Sequence, residues 1–339
     1  MKRKSLIKKF AFLALVTGCG LTACHKGIVP EPPPQDSLSG WTHLPAPMDT
    51  INVLEVFGNT IYAGSNSNAL YTSTDGGQNW TSSKVGPSDG MITAIRVFNN
   101  NIYVGTVFNG IFSSHDGGRT WTSAGSSLAQ NPITSFAERK NTLYAAAGED
   151  GGVFVLDEIH NTWAHFNNNL PESITSYWVF KLLNSSDTLV AAAGVNGTFY
   201  HYDFAAARWV ETYLPKWGFY ISEMIVDGGS LYAITTEHKI IRSYNNGISW
   251  LYDSQDANLT SPIFFGLHHI YAGTGKDYLT ANSWRDGVWI QQRDRSAAAG
   301  SSWSNGQEFL KAVFVNTILE TGGKLFLGTN TGLYFKKTT

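Results

Sequence analysis

Cysteine is nearly absent from this 339-residue chain: there are two, Cys19 and Cys24, both close to the N-terminus. Anything folded beyond residue 24 therefore has no disulfide, no thiolate nucleophile and no Cys-ligated metal. Charge is sparse as well, at 15% of residues. Five of the 24 Lys and Arg fall within residues 1–23, which leaves 19 against all 26 Asp and Glu. That acidic remainder speaks against nucleic-acid binding by phosphate neutralisation. There is no H-E-x-x-H, no G-x-S-x-G and no Gly-rich phosphate loop closed by Lys-Ser/Thr, so the common metallohydrolase, serine-hydrolase and nucleotide signatures are missing. No cofactor is expected. What the chain does have is 34 Gly and 13% aromatic residues, the composition of a turn-rich β protein with a large core.

The N-terminus reads as a targeting segment. A basic stretch to Lys9 precedes the apolar run Phe10–Val16, which is too short to span a bilayer and has the layout of a secretory signal. Leu21-Thr22-Ala23-Cys24 resembles the bacterial lipobox, which implies cleavage after residue 23 and acylation of Cys24. Residues 1–23 are then a signal peptide and residues 24–39 an acylated, Pro-rich linker, with Pro30, Pro32, Pro33 and Pro34. Extended at roughly 3.1 Å per residue, it acts as a spacer that holds the following domain some tens of Å from the membrane.

Residues 40–339 are dominated by one repeat. Trp41, Trp80, Trp121, Trp163, Trp209, Trp250 and Trp289 recur every 39 to 46 residues. One apolar strand recurs with them, as Ile61-Tyr62-Ala63-Gly64, Ile102-Tyr103-Val104-Gly105, Leu143-Tyr144-Ala145-Ala146, Leu189-Val190-Ala191-Ala192, Leu231-Tyr232-Ala233-Ile234, Ile270-Tyr271-Ala272-Gly273 and Leu325-Phe326-Leu327-Gly328. Each unit reads as four short strands, A to D, with the repeated strand as B and the Trp opening D. Short strands at this period predict an all-β fold, a seven-bladed β-propeller of four-stranded antiparallel blades. The last copy ends at strand C, so Gly40-Trp41-Thr42-His43-Leu44 is expected to supply its missing strand and close the ring. His268-His269 aligns with the turn between strands A and B and is read as turn residues rather than a metal pair.

Between strands C and D lies a second motif. Ser114-His115-Asp116-Gly117-Gly118-Arg119-Thr120-Trp121 fits S-x-D-x-G-x-T-W at every defined position. Ser73, Asp75, Gly77 and Trp80 repeat it with Asn79 in place of Thr, and Ser243, Asn245, Gly247 and Trp250 repeat it with Asn for Asp and Ser249 for Thr. The segments 156–163, 202–209 and 282–289 keep the seven-residue interval to Trp but little else. An Asp two residues before a Gly can accept hydrogen bonds from the amides of its own turn, and the Gly tolerates positive φ. These residues are expected to hold the fold rather than to catalyse. The motif resembles the Asp-box of the bacterial neuraminidase (BNR) repeat families. That resemblance implies a propeller whose hairpins lie opposite the functional rim. It does not extend to sialidase chemistry: those enzymes bind substrate through three Arg, one of them in Phe/Tyr-Arg-Ile-Pro, and no Arg here is followed two places later by Pro. Sortilin-type receptors, tandem-propeller glycosidases and photosystem II assembly-factor-like proteins share the repeat. The last group is most similar in size and exported character, although its Arg-rich patch has no counterpart in this Arg-poor chain.

The rim of D–A connections and B–C turns is where the sequence departs from its own repeat. Tyr177 and Trp178 precede blade four; Trp217, Phe219 and Tyr220 precede blade five; Arg293, Arg295 and Trp303 fall in the long segment before blade seven. These eight residues are the candidate binding face, suited to a protein partner or to stacking on sugar rings. Glu149, Asp150, Asp294 and Glu308 share that face, but no spacing singles out a glycosidase pair among them. Glu55 and Arg96 align on the inner strands of blades one and two as a structural ion pair. The leading expectation is a monomeric, membrane-anchored, non-catalytic binding or assembly scaffold outside the cytoplasm. The alternative is a glycan-binding or glycoside-cleaving propeller.

Overall fold

The computed structural model describes residues 40–44, 49–87, 90–124, 128, 130–148, 151–171, 179–193, 198–212, 221–235, 239–252, 268–272, 276–283, 287–294, 308–311 and 313–338. Among them the regular elements are strands, with a 3-10 residue at Leu128, and no helix is long and apolar enough to cross a membrane. In chain order the strands are β1 (Thr42–Leu44), β2 (Ile51–Phe57), β3 (Thr60–Ser65), β4 (Ala69–Ser73) and β5 (Thr81–Lys84). Next come β6 (Ile92–Phe98), β7 (Asn101–Thr106), β8 (Ile111–Ser114) and β9 (Thr122–Ser123), then β10 (Ile133–Arg139), β11 (Thr142–Ala147), β12 (Gly152–Asp157) and β13 (Thr162–His165). They are followed by β14 (Val179–Ser185), β15 (Thr188–Ala193), β16 (Thr198–Asp203) and β17 (Arg208–Thr212), and by β18 (Ile221–Asp227), β19 (Ser230–Thr235), β20 (Ile240–Ser243) and β21 (Leu251–Tyr252). The last seven are β22 (His268–Ala272), β23 (Lys276–Ser283), β24 (Gly287–Asp294), β25 (Glu308–Lys311), β26 (Val315–Thr321), β27 (Lys324–Thr329) and β28 (Gly332–Lys337).

Each consecutive group of four from β2 onward forms one antiparallel sheet, and β26–β28 take β1 as their fourth strand. The inner strands β2, β6, β10, β14, β18, β22 and β26 are neighbours in that order, and β26 returns to β2. The architecture is an all-β propeller of four-stranded antiparallel blades. β1 pairs with β28 through Thr42–Phe335, His43–Tyr334 and Leu44–Leu333, on the edge that would otherwise stand open.

The expectation of seven equivalent blades is corrected to six. Six sheets share one plan, in which the second residue of the inner strand sits in a β-bulge: Asn52, Thr93, Thr134, Phe180, Ser222 and Asn316. The four-stranded sheet β22–β25 is built differently, since β22 pairs with β23 in unbroken register. Ile270-Tyr271-Ala272, expected as a second strand, lies in β22 beside the inner strands β18 and β26. His268 and His269, expected in a turn, are strand residues opposite Ala281 and Thr280. Trp289, expected to open the fourth strand, belongs to the third strand β24, and the fourth position is filled by β25. Asn282 and Ser283 therefore end the second strand and pair with Val288 and Gly287 of the third. A short apolar run such as Ile-Tyr-Ala suits any strand of a sheet, and pairing partners rather than local pattern decide which one it takes.

The bulge has a purpose that the repeat alone conceals. In four of the six sheets the extra side chain turns toward the next sheet and donates to the carbonyl of that sheet's first inner residue. Asn52 Nδ2 reaches Ile92 O at 3.1 Å, Thr93 Oγ1 reaches Ile133 O at 2.5 Å, Thr134 Oγ1 reaches Val179 O at 2.6 Å and Asn316 Nδ2 reaches Ile51 O at 3.0 Å. The last of these joins the final sheet to the first.

Packing between sheets follows the same period. A Cβ added to Gly64 would lie 2.4 Å from Ile92 Cγ2, one on Gly105 would lie 2.5 Å from Ile133 Cγ2, and one on Gly328 would lie 2.7 Å from Ile51 Cγ2. In each case the inner-strand Ile of the next sheet fills the space that the Gly leaves. Where the residue is Ala146 the incoming side chain is the smaller Val179, and both lie in one core cluster. Gly105→Val should therefore overpack this junction and destabilise the protein by about 1–3 kcal/mol. The expected result is a lower urea midpoint at unchanged m-value; an unshifted midpoint would show that the junction yields.

Candidate functional site

Antiparallel order gives the propeller two rims. Turns from second to third strands and connections between sheets share one, and turns from first to second strands and hairpins from third to fourth strands share the other.

Three hairpins on the second rim are built alike. Ser114 Oγ donates to Asp116 Oδ1 at 2.8 Å and accepts from Gly118 N at 2.8 Å. Asp116 Oδ1 also accepts from Arg119 N and Thr120 N at 3.0 and 2.9 Å, and Thr120 Oγ1 donates to Oδ2 at 2.6 Å. Ser73, Asp75 and Gly77 repeat this, with Asn79 Nδ2 donating to Asp75 Oδ2 at 2.7 Å in place of the Thr hydroxyl. In the third hairpin Asn245 Oδ1 accepts from Ser243 Oγ and Ser249 N, while Asn245 Nδ2 donates to Ser249 Oγ at 2.9 Å. Each replacement thus preserves one donor and one acceptor at this corner. Gly77, Gly118 and Gly247 all have φ between 81° and 87°, conformations that strain any side chain.

The hairpin Trp residues bind the preceding sheet. Trp121 Nε1 donates to Ser83 Oγ at 3.2 Å and Trp209 Nε1 to Phe166 O at 2.7 Å. Trp163 meets Tyr103 edge-on at 6.2 Å, and Trp250 stacks on Phe199 at 4.0 Å. Trp80 packs against the core cluster that contains Phe326 and Leu333 of the last sheet, its Nε1 donating to Gly77 O.

Both hairpin carboxyls sit well below the usual carboxylate range. For Asp75 the main cause is the Asn79 amide; for Asp116 it is the Thr120 hydroxyl. Because the folded pKa is depressed, their contribution to stability is present above the unfolded value of about 3.9 and is lost as pH falls through the folded one. Asp116→Asn, the residue type found at position 245, should therefore show a shallower fall in melting temperature than the parent protein on acidification below about pH 4. Parallel curves would contradict the assignment.

The inner strands carry a charge ladder. Arg96 Nη1 lies 3.3 Å from Glu55 Oε1, its Nη2 lies 3.3 Å from Glu138 Oε2, and Lys181 Nζ lies 2.7 Å from Glu223 Oε1. The Lys181 charge also acts on Glu55. Acids and bases thus alternate over the inner strands of five successive sheets. Burial pushes the Glu55 carboxyl above its ordinary range, and Arg96 and then Lys181 pull it back only in part. Arg96 is about one-third exposed, so a double-mutant cycle with Glu55→Gln and Arg96→Met should give a coupling of at most about 1 kcal/mol. Zero coupling would remove the pair from the account.

Of the sequence-predicted site residues, those of the three hairpins are brought into the arrangement just described. Arg293 lies within β24 opposite Asp277, and the chain after it leads to β25 of the same sheet rather than to another blade. Cys24, Tyr177, Trp178, Trp217, Phe219, Tyr220, Arg295 and Trp303 lie outside the described residues, as do Glu149 and Asp150. Among the described residues no group of three His, Cys, Asp or Glu is placed to hold a metal ion. Glu138, Lys181 and Glu223 escape sequence reasoning because they stand one or two residues out of register with Glu55 and Arg96. The signal that was available is the run Asn52, Thr93, Thr134, spaced by 41 residues each time.

Sheet order, bulges and hairpins define a β-propeller of repeated four-stranded blades. Within that class the chain belongs to the family of the DUF6242 beta propeller domain, whose model matches residues 48–223. No curated protein matches it. Among solved structures it is similar to YCF48 bound to D1 peptide, at 15% identity and a TM-score of 0.66, covering 89% of this chain and 97% of the other. It is also similar to YCF48 from Cyanidioschyzon merolae, at 12% identity and a TM-score of 0.62, covering 88% and 99%. The extracellular domain of the putative hybrid two component system BT4673 from B. thetaiotaomicron gives 15% identity and a TM-score of 0.66. That match covers 88% of this chain but 40% of the other. At these identities the likeness is one of fold.

Proposed function

We propose that this protein is a non-catalytic binding or assembly scaffold outside the cytoplasm, anchored to a membrane through Cys24 and working through the rim of inter-sheet connections. Residues 1–23 are the signal peptide, residues 24–39 the tether and residues 40–339 the propeller; the three hairpins are Asp-boxes that brace it. The observation that carries the reading is the similarity, over 89% of this chain and 97% of the other, to a propeller solved with a peptide bound. The axial carboxylates agree with it: Glu55, Glu138 and Glu223 are each paired with a cation from a neighbouring sheet, which suits bracing better than proton transfer.

The test combines two assays on the full chain. Incubation with a panel of polysaccharides should release no reducing ends, and cross-linking in native membranes should capture a protein that is lost in Trp217→Ala or Trp303→Ala. Release of reducing ends, or glycan binding abolished by the same substitutions, would instead make this a carbohydrate protein.

A further inference from the structure

We infer that the rim bearing the Asp75, Asp116 and Asn245 hairpins is the one laid against the lipid surface, and that the opposite rim is presented to partners. The inference rests on the proposed anchor at Cys24. Its first support is where the tether meets the fold. Leu44 pairs with Leu333, just after the turn Asn330–Thr331, while Thr42 pairs with Phe335 farther along β28. β1 thus runs from the hairpin rim toward the opposite one, and Gly40 lies at the hairpin rim against the Lys336 side chain. A chain held in the membrane at Cys24 reaches the propeller on this side. Sixteen positions separate Cys24 from Gly40, a reach of at most about 58 Å; with the rim docked this segment acts as a slack tether rather than as the spacer expected from its prolines.

The second support is what that rim exposes. Ile159, 90% exposed, is in the β12–β13 hairpin, and Tyr244, Ile248 and Leu251 stand 55–63% exposed in and just after the β20–β21 hairpin; Phe57 is half exposed at the end of β2. Isolated apolar side chains at hairpin tips give weak affinity when free in solution. A tether changes this, because it makes docking intramolecular at a high effective concentration. Tyr is a residue type enriched at membrane interfaces, and Lys336 and Lys337 of β28 lie beside the tether's point of arrival.

The test uses the full, acylated chain in phosphatidylcholine vesicles. Once Cys24 is acylated and Cys19 removed with the signal, an introduced cysteine is the sole free thiol. An environment-sensitive fluorophore is placed at Ile159→Cys or Ile248→Cys on the hairpin rim, and at Ser67→Cys on the opposite rim. All three positions are exposed, so folding is retained and is checked by thermal unfolding. The expected result is blue-shifted emission, quenched by brominated lipid, at positions 159 and 248 with water-like emission at 67. Water-like emission at 159 and 248 in chains that float with the vesicles overturns the docking while leaving the anchor intact. Chains that fail to float overturn the anchor, and the inference with it.

Discussion

Trp209→Ala is expected to cost about 3–5 kcal/mol, the largest effect of any single substitution considered. Trp209 is fully buried. Its ring meets Tyr202 at 5.1 Å and Phe166 at 6.2 Å, both edge-on, and its indole N–H donates to Phe166 O in the preceding sheet. Truncation would leave a cavity between two blades and strip that carbonyl of its donor. Urea unfolding of the parent and the variant would measure the loss, and a difference below about 1 kcal/mol would mean that the sheets do not depend on this wedge. Trp121→Ala should cost less, because that ring is only half-buried.

Removing Thr42–Leu44 is the second large perturbation. Three residue pairs along β28 would be lost, together with the stacking of His43 on Tyr334 at 4.4 Å and its bond to Thr331 O at 2.9 Å. The half-buried Leu44 would no longer cover its core cluster. The exposed edge of β28 would then be open to pairing with another chain. A loss on the order of several kcal/mol, with concentration-dependent aggregation, is expected. His43→Ala alone should be mild, since that side chain is exposed. Calorimetry showing the same melting temperature with and without the strand would rule out ring closure as a source of stability.

The parts of the fold that were legible from sequence are those whose causes are local. Ser114, Asp116, Gly118 and Trp121 meet within one hairpin, so their spacing survives in the sequence as a motif. The recurrence of Ile61-Tyr62-Ala63-Gly64 marks the second strands of six sheets because each meets the same neighbours. The sheet β22–β25 was misread for the converse reason: Ile270-Tyr271-Ala272 has the same local pattern in a different position, and only its partners in β23 distinguish the two. The latches at Asn52, Thr93, Thr134 and Asn316 act on carbonyls some 40 or more residues away. No local rule assigns a polar residue in a bulge to the next sheet. The ladder was half legible, since Glu55 and Arg96 share a register position and Glu138, Lys181 and Glu223 do not.

The most direct test of the account is site-specific photo-crosslinking in native membranes, with the cross-linker at position 67 or at position 159 and the adducts identified by mass spectrometry. Protein adducts are expected from position 67, on the rim of inter-sheet connections, and lipid adducts from position 159, on the hairpin rim. Lipid adducts from 67 with protein adducts from 159 would reverse the orientation and contradict the assignment of the binding face.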